Sequence, residues 1–585
     1  MLCTRVYSYL CKSSPITSKL PYGSLTISLR LEHKYPKFSF KMNEAFLRHD
    51  ENADRFDISF RFVYAERNID KQFNFSRKMD STVANFLSRI DFNTVIHECK
   101  STLMLNGSPV DGDVLCESIF KDKPHVSLVI SGIEYLVKYN VPWVSKITLS
   151  KCILAGFPTY PAKFESLYTN QTESKFTWFV NKKTRTTLED WQEVAQGFMY
   201  TPKIPDIGCT LKLQCLPKKD GLTGPTVEVN SPTDVEAGPG RCPFETRHSF
   251  TINFILLSFS SFRVVSYNIL ADLYTDSAHT REVLFPYCPS YALDIDYRKY
   301  LIIKELIGYN SDIICLQEVD SKIFDLDLLP TLSTLNYDGV FNRKGGTVSE
   351  GLSTFYNNDR YQKLDFESAI ISENLHLEGF AHIWETITNV QVKERFLCRS
   401  TAVQATVLLS LDNPTKILVV GNTHLYFHPD ADHIRLLQGY YALVYYNRCK
   451  YLKTNYLQYP NHSVNIILCG DFNSVPECGI YQLMSRNYIP VDYKDWNSNP
   501  EEKIEAVALS HDLSFASACG TPQYTNFTAG FADCLDYIFY QTDELQVEQV
   551  IPMPSNDELT EHTALPSVVF PSDHISLCAD LKWKI

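Results

Sequence analysis

The pattern of apolar and polar positions divides the chain into two parts. Over residues 35–247, short runs of alternating apolar and polar residues predict β-strands separated by turns, and in 210–215 every second residue is apolar. From 263 to the end, continuous apolar runs alternate with the helical periodicity of 296–308 and 432–453. The second pattern is typical of an α/β fold whose strands are buried on both faces.

These patterns predict a β-sandwich-like domain over 35–247, a junction over 248–262 and an α/β domain over 263–585. In the first domain, Asp206 and Gly208 precede an alternating strand, as in the late turn of immunoglobulin-like sandwiches, although a generic β domain explains the pattern nearly as well. The apolar residues of 252–262 are unusual in a junction, and either an additional strand or an error in the predicted coding sequence would account for them.

Composition limits the class of protein. The 585 residues are too many for one ordinary domain, and no apolar run reaches the length of a membrane span. Seventeen cysteines without any Cys-x-x-Cys pair argue against a structural zinc module, and their odd number favours a reducing compartment. The net charge of −13 does not indicate a nucleic-acid-binding protein, but a local basic cleft is compatible with it.

The first 34 residues have a composition of their own. They contain Arg5, Lys12, Lys19 and Arg30 among many serines and threonines, and no acidic residue precedes Glu32. This pattern is typical of a mitochondrial transit peptide and predicts location in the mitochondrial matrix, whereas an ordinary basic N-terminus is the alternative.

Six predicted strands carry polar residues at or near one end. Any one of these residues could be a turn or cap residue exposed to solvent. In layered α/β folds, however, residues from separate strand ends converge at one edge of the sheet, where ligands bind. The residues are Asn268, Glu318, His424, Asp471 with Asn473, Asp536, and Asp573 with His574.

Four carboxylates in one pocket would repel each other unless a cation neutralised them, so the set predicts a hard divalent ion bound by oxygen atoms. Magnesium is favoured, with manganese as a second choice, because there is no Cys/His cluster for zinc. Glu318 would bind the ion directly, and Asp471 and Asn473 would complete or support the site. Asp536 would orient His574 as a dyad. The predicted reaction is metal-assisted hydrolysis of a phosphate ester by an activated water.

Asn268 and His424 complete this prediction as hydrogen-bond donors to the non-bridging oxygens of the phosphate. The same strand ends also carry motifs that resemble the endonuclease/exonuclease/phosphatase superfamily, and within it the deadenylase branch. In order along the chain, the motifs are SYNILAD at 266–272, LQEV at 316–319, NTHL at 422–425, GDFN at 470–473, LDYI at 535–538 and SDH at 572–574.

Further segments resemble the mitochondrial 2′,5′-phosphodiesterases of that branch. These segments are LFPYC at 284–288, YALDIDYR at 291–298, DLKW at 580–583, and the shorter AGFP at 155–158, YTP at 200–202, DIG at 206–208 and VEAGPG at 235–240. The resemblance implies a four-layered α/β-sandwich hydrolase domain that trims 2′,5′-oligoadenylate and the poly(A) tails of mitochondrial RNA.

The resemblance also implies roles for single residues. Glu318, Asp471 and Asn473 would bind magnesium, with Asp471 also acting in proton transfer, and Asn268, His424, Asp536, Asp573 and His574 would complete the pocket. Whether Asp471 or His574 accepts the proton of the attacking water stays open. The alternatives are a cytoplasmic 3′,5′ poly(A) deadenylase, a small-molecule phosphatase of the same fold, and a noncatalytic adaptor that binds RNA or protein.

Overall fold

The computed structural model describes residues 37–39, 43–64, 68–93, 100–121, 125–182, 190–252, 260–455 and 462–584. The predicted transit peptide over 1–34 lies outside the described residues, as do positions 253–259 of the predicted junction. No helix within the described ranges is long and apolar enough to cross a membrane.

The first unit of the chain is a seven-stranded sheet, here called sheet N1. Its hydrophobic core contains Phe56, Phe60 and Leu128 and is closed by the helix Val83–Asn93. The consecutive strands Val126–Ile130 and Ile133–Tyr139 are antiparallel neighbours. In spatial order the strands are Ile69–Lys78, Arg55–Tyr64, Glu44–His49, Ile133–Tyr139, Val126–Ile130, Ser101–Leu105 and Ser108–Pro109.

The second unit is a β-sandwich, which confirms the predicted fold class of the region before the α/β domain. A six-stranded sheet, sheet N2, packs against the antiparallel pair Trp143–Leu149 and Pro161–Leu167. The predicted turn also exists: the Tyr200 hydroxyl donates to Asp206 Oδ2 at 2.6 Å. The strands of sheet N2 are Lys37–Ser39, Thr226–Asp234, Thr210–Lys219, Asn170–Asn181 and Trp191–Gln196, with Leu222–Thr223 beside Thr210–Lys219.

The C-terminal half contains two six-stranded sheets, named C1 and C2. In spatial order, sheet C1 consists of Tyr337–Arg343, Glu350–Asn357, Ile313–Asp320, Ser261–Asn268, Leu577–Trp583 and Leu545–Val550. Sheet C2 consists of Tyr361–Ile370, Ala402–Ser410, Lys416–His424, Ser463–Asp471, Asp536–Gln541 and Phe515–Ser517. Two short pairs lie outside them: Tyr488–Ile489 with Leu509–Ser510, and Asn526–Phe527 with Ala532–Asp533.

Sheets C1 and C2 pack face to face, and helices cover their outer faces. Val264 and Ile313 of C1 share one core with Leu418 and Ile467 of C2. The helix Ile295–Gly308 covers C1 and the helix Asp432–Asn455 covers C2. The arrangement is the predicted four-layered α/β sandwich, and the continuous apolar runs of the central strands follow from burial on both faces.

The helices of this half lie within one or two residues of their predicted bounds where bounds were predicted. Among the residues that the structure describes, the α-helices from the junction onward are Pro243–His248, Asp272–Thr275, Ser290–Leu293, Ile295–Gly308, Ser321–Ile323, Leu329–Ser333, Ala381–Thr386, Val390–Leu397, Asp432–Asn455, Gly479–Arg486 and Asn556–Thr560, with π-helical turns at Thr280–Leu284 and Phe324–Leu328 and 3₁₀ turns at Ile371–Glu373, Lys494–Asn497 and Pro500–Glu502.

Each C sheet has a parallel pair of strands at its centre. Ser261–Asn268 runs parallel to Ile313–Asp320, and Lys416–His424 runs parallel to Ser463–Asp471. The carboxyl ends of both pairs lie at the same edge of the sandwich, and Asp536–Gln541, which is antiparallel, brings its first residue to that edge beside Asp471. The last residue of one strand, Asp471, therefore lies beside the first residue of the next, Asp536, at this edge.

The structure changes the reason for Gly470. A glycine at the end of a buried apolar run predicts a sharp turn of the chain, but the strand Ser463–Asp471 continues through this residue. A Cβ atom at Gly470 would lie 2.2 Å from the carbonyl oxygen of Thr423 on the parallel neighbour. Glycine is needed because two backbones approach closely, rather than because the chain turns.

Candidate active site

Asn268 joins the two sheets at their common edge. It is the last residue of Ser261–Asn268 in sheet C1, and its Nδ2 donates to Glu318 Oε1 and to Asp471 Oδ2, each at 3.0 Å. Its Oδ1 accepts from the backbone N–H of Leu270, and its carbonyl oxygen accepts from the Ser572 hydroxyl. A single buried amide therefore holds one carboxylate from each sheet.

Glu318 lies inside a strand and not at its end, because Ile313–Asp320 continues for two more residues. Its φ of 55° and the shift of pairing register between Leu316 and Val319 form a local irregularity. Such left-handed backbone is uncommon for a non-glycine residue and is often found at functional sites. Burial, with repulsion from Glu350, raises the pKa of Glu318 to about 7, and the Lys344 ammonium opposes the shift.

Asp471 lies at the end of the central strand of sheet C2 and is almost completely buried. Its Oδ1 accepts from the backbone N–H of Asn473 at 2.9 Å. Burial and the nearby Asp536 carboxylate raise the pKa of Asp471 to about 6, although the His574 imidazolium acts in the other direction. Asn473 has a φ of 48°, and its Nδ2 donates to the carbonyl oxygen of Leu425.

Asp536 and His574 form the predicted dyad. His574 Nδ1 lies 2.8 Å from Asp536 Oδ2, and His574 Nε2 lies 3.5 Å from Asp471 Oδ2. Burial alone would lower the pKa of His574, but Asp536, Asp471 and Asp573 outweigh it and raise that pKa well above the ordinary value. His574 is therefore an imidazolium between two carboxylates, which fixes its ring orientation.

His424 lies opposite, at the end of Lys416–His424, with Nε2 3.5 Å from Asp471 Oδ2. Its Nδ1 lies 3.1 Å from Nζ of Lys344. Burial, together with the charges of Lys344 and His574, lowers the pKa of His424 well below its ordinary value. His424 is therefore neutral, in contrast to His574.

Asp573 is the most peripheral of the predicted residues. It is half-buried, and its Oδ2 accepts from Asn526 Nδ2 at 3.4 Å. It contributes negative charge beside His574 rather than a direct contact with the central carboxylates. All eight predicted residues thus come together at one edge of the sandwich, with Asp573 at the rim.

The donor set of this pocket fits a divalent cation. Carboxylate oxygens of Asp471 and Asp536 lie within 4.8 Å of each other, and Asp536 Oδ1 has no hydrogen-bond partner among the described residues. The carboxylates of Glu318 and Asp471 are both buried and difficult to ionise without a cation. Glu318, Asp471 and the Asn473 carboxamide offer the oxygen ligands that hard cations prefer.

Two residues of this pocket were not found from the sequence. Lys344 and Glu350 lie at the two ends of a hairpin loop, where their side chains form an ion pair of 2.7 Å. Neither follows a buried apolar run in a way that distinguishes it from an ordinary loop residue. The one available signal is the Lys-Gly-Gly step at 344–346, which marks a tight loop but no chemistry.

Comparison with known families gives two matches. Residues 265–574 match the Endonuclease/Exonuclease/phosphatase family, and residues 141–236 match a domain described as "2′,5′-phosphodiesterase 12-like, N-terminal domain". The first match contains all the site residues. The second match covers the β-sandwich, including every strand of sheet N2 except Lys37–Ser39.

Three relatives illustrate the range of similarity. The 2′,5′-phosphodiesterase 12 of Homo sapiens is 41% identical over 478 residues, covering 78% of this chain and 76% of the relative. The same protein from Bos taurus is 42% identical over the same coverage. The CCR4-Not complex 3′-5′-exoribonuclease subunit Ccr4 of Schizosaccharomyces pombe is 30% identical over 349 residues, covering 55% of this chain and 49% of the relative.

Among solved structures, ANGEL2, a 2′,3′-cyclic phosphatase, aligns with 56% of this chain and 96% of its own. Its sequence identity is 22% and the TM-score is 0.45.

Proposed function

Because this chain belongs to the Endonuclease/Exonuclease/phosphatase family, we propose that it is a magnesium-dependent phosphodiesterase that degrades 2′,5′-oligoadenylate and removes poly(A) tails from mitochondrial RNA. The chain is a hydrolase of phosphodiester bonds, related to phosphodiesterases and 3′-exoribonucleases. RNA is accordingly the class of substrate.

The similarity to 2′,5′-phosphodiesterase 12 supports the choice of substrate, because it extends beyond the hydrolase domain. The alignment with the human relative covers 78% of this chain, and a separate match covers residues 141–236. The Ccr4 subunit aligns with only 55% of the chain. The shared N-terminal domain is therefore the observation that favours a 2′,5′-phosphodiesterase over an ordinary deadenylase.

The geometry supports a different role for each group of residues around the substrate phosphate. Glu318, Asp471 and Asn473 would hold the cation, which lowers the pKa of bound water and neutralises charge on the phosphate. The carboxylates around His574 raise its pKa and favour its imidazolium form, which donates hydrogen bonds to developing negative charge. Asp471 is then the acceptor of the proton from the attacking water, with Asn268 orienting its Oδ2.

We further propose that the protein acts in the mitochondrial matrix. The support is the basic, serine- and threonine-rich composition of residues 1–34, which has no acid before Glu32. A fusion of residues 1–34 to a fluorescent protein should enter mitochondria, and replacement of Arg5, Lys12, Lys19 and Arg30 by glutamine should abolish import. Cytosolic fluorescence of the unaltered fusion would contradict the proposal.

The decisive experiment uses matched oligoadenylates of equal length with 2′,5′ or 3′,5′ linkages. The protein without residues 1–34 should cleave both when Mg²⁺ is present, and chelation should stop both reactions. Cleavage of 3′,5′ bonds alone would replace the proposal by an ordinary deadenylase. If neither oligoadenylate is cleaved, the result would favour a phosphatase that acts on small phosphate esters.

A further inference from the structure

Lys344 and Glu350 connect the hairpin of sheet C1 to the pocket. Lys344 immediately follows Tyr337–Arg343, and Glu350 is the first residue of Glu350–Asn357. The backbone N–H of Lys344 donates to the carbonyl oxygen of Glu350 at 3.1 Å, so the two side chains leave the same end of the hairpin. The chemistry proposed above gives neither side chain a role.

Glu350 holds the Lys344 ammonium in one place. The Glu350 side chain is inaccessible to solvent, and its Oε1 accepts from Lys344 Nζ at 2.7 Å and from the Tyr274 hydroxyl at 3.2 Å. Oε2 has no hydrogen-bond partner among the described residues. A buried carboxylate requires a cation as partner, and Lys344 is that partner.

The same ammonium contacts the ring of His424. Lys344 Nζ lies 3.1 Å from His424 Nδ1, and an ammonium group can only donate. Nδ1 must therefore be the unprotonated nitrogen of a neutral ring, whose single proton lies on Nε2. That nitrogen faces the pocket, 3.5 Å from Asp471 Oδ2.

We propose that Lys344, held by Glu350, fixes His424 as the Nε2–H tautomer, so that His424 donates a hydrogen bond into the active site. Lys344 and Glu350 are thus positioning residues. This inference rests on the proposed function only for its effect on turnover, because the tautomer is a property of the free protein. Without the lysine, either ring nitrogen can carry the proton, and an Nε2 lone pair would face the Asp471 carboxylate.

The tautomer can be measured directly on the full chain with ¹⁵N-labelled histidine, whose two ring nitrogens have different chemical shifts when protonated and unprotonated. The His424 signals are identified by their loss in His424→Gln. We expect a protonated Nε2 and an unprotonated Nδ1 in the wild type, and a mixture of tautomers in Lys344→Met. A protonated Nδ1 in the wild type would overturn the proposal.

Turnover provides the second measurement. Loss of a group that orients a site histidine typically reduces activity about 10–100-fold, so kcat of Lys344→Met should fall within that range with a smaller change in KM. Lys344→Arg retains a charged donor and should recover most of kcat. Glu350→Gln keeps a hydrogen-bond acceptor for Lys344 but removes the negative charge of Glu350. Its kcat should lie between those of Lys344→Met and Lys344→Arg.

Lys322→Met is the matched control, because Lys322 is a half-exposed lysine of the same domain that pairs with Asp272. Its kcat should stay within about twofold of the wild type, and an equal value for Lys344→Met would overturn the proposal. If Lys344→Met does not fold, the wild-type tautomer and the activity of Lys344→Arg decide. If the wild type cleaves no oligoadenylate, the proposed function fails, while the nitrogen shifts still test the tautomer.

Discussion

At the scale of single residues, the pocket depends on donors placed between carboxylates that would otherwise repel. The Asn268 amide lies between Glu318 and Asp471, and the His574 ring lies between Asp471 and Asp536. Asp471 participates in both arrangements. Removal of this one carboxylate should therefore affect catalysis more than folding.

We expect Asp471→Ala to lower kcat by about 10²–10⁴-fold or more, because it removes both a proposed cation ligand and the proposed acceptor of the proton. The circular dichroism spectrum should be unchanged, and the melting temperature should change little, since the substitution also relieves repulsion with Asp536. Measurable turnover close to the wild-type value would contradict the assignment of the site.

The raised pKa values predict how cation binding depends on pH. The ordinary pKa values of Glu and Asp are near 4.5 and 3.8, whereas those of Glu318 and Asp471 are about 7 and about 6. Both groups therefore hold protons at pH 5.5 and release them as the pH rises through 6 and 7. Since a cation must displace these protons, its affinity should increase with pH over that window.

Calorimetric titration with Mn²⁺ should give an affinity more than about tenfold weaker at pH 5.5 than at pH 8. The same linkage makes the chelated protein less stable as the pH rises from about 4 to 7, because the folded state binds more protons than the unfolded state in this interval. A Mn²⁺ affinity that is constant from pH 5.5 to 8 would contradict the raised pKa values.

The eight predicted residues could be found from the sequence because each is close to a buried strand that the apolar pattern reveals. Which of the two histidines is charged could not be predicted in this way. That difference arises because three carboxylates outweigh the effect of burial on the pKa of His574, whereas burial and the charge of Lys344 both lower the pKa of His424. Lys344 itself comes from a hairpin loop, and only the folded chain brings it to the site.

At the scale of elements, the contact between the parallel strands Lys416–His424 and Ser463–Asp471 sets the relative position of His424 and Asp471, which are direct partners in the ladder. Gly470 is paired with Thr423 one step before them. The pair tolerates no side chain at position 470, since its Cβ would lie 2.2 Å from a backbone oxygen.

Gly470→Ala should therefore separate the strands directly beneath the site. We expect a loss of about 1–3 kcal/mol in the free energy of unfolding and a decrease of kcat on the order of 10–100-fold. Gly530→Ala is a suitable control, because a Cβ there meets nothing within 4 Å. Equal denaturation midpoints for the two variants would show that the strands can adjust.

The sequence predicts that a small residue is needed at position 470, but it cannot provide the correct reason. A turn and a close approach of two backbones both select glycine, and only strand pairing distinguishes them. The same limit applies to Glu318, for which the sequence predicts a strand end. The register shift that turns its side chain into the pocket depends on the neighbouring strand Glu350–Asn357.

At the scale of the whole molecule, one continuous hydrophobic core extends from the sandwich of sheet N2 into the helical layer of sheet C1. Tyr160 of the sandwich packs against Tyr300 of the helix Ile295–Gly308, and its hydroxyl donates to the buried Asp327 at 2.8 Å. Arg247 then fixes the segment after His574 by donating to the Ser576 carbonyl oxygen at 2.8 Å. The core of sheet N1, in contrast, is separate.

Two truncations should therefore behave differently. Removal of residues 1–139 should leave a soluble enzyme with kcat within a few-fold of the full chain, because it removes the separate core of sheet N1 and, from sheet N2, the short edge strand Lys37–Ser39. Removal of residues 1–259 should give an aggregating protein, because it exposes the shared core and deletes Arg247. Size-exclusion chromatography and cleavage assays distinguish the two, and a soluble, active product of the longer deletion would contradict a shared core.

The sequence predicts the β-rich character of 35–247 but not its division into two units. Short strands with turn residues look alike in both, and the boundary near Asn140 has no distinctive composition. The division follows from long-range pairing. Glu44–His49 runs parallel to Ile133–Tyr139 within sheet N1, whereas Lys37–Ser39, which comes earlier in the chain, pairs with Thr226–Asp234 of sheet N2. Pairing between strands that are distant in sequence cannot be predicted from the local periodicity of apolar residues.

Because Glu318 and Asp471 belong to different sheets, the distance between the sheets affects the size of the ion that fits between the two carboxylates. Cys315 and Cys469 are in contact between the sheets, three and two residues before these ligands, so the thickness of the interior sets the width of the opening above it. Mg²⁺ demands short bonds of about 2.0–2.1 Å, whereas larger cations accept a wider cage. If Glu318 and Asp471 bind the ion as proposed, we expect apolar side-chain volume in the interior, as well as the oxygen ligands, to control discrimination between small and large divalent ions.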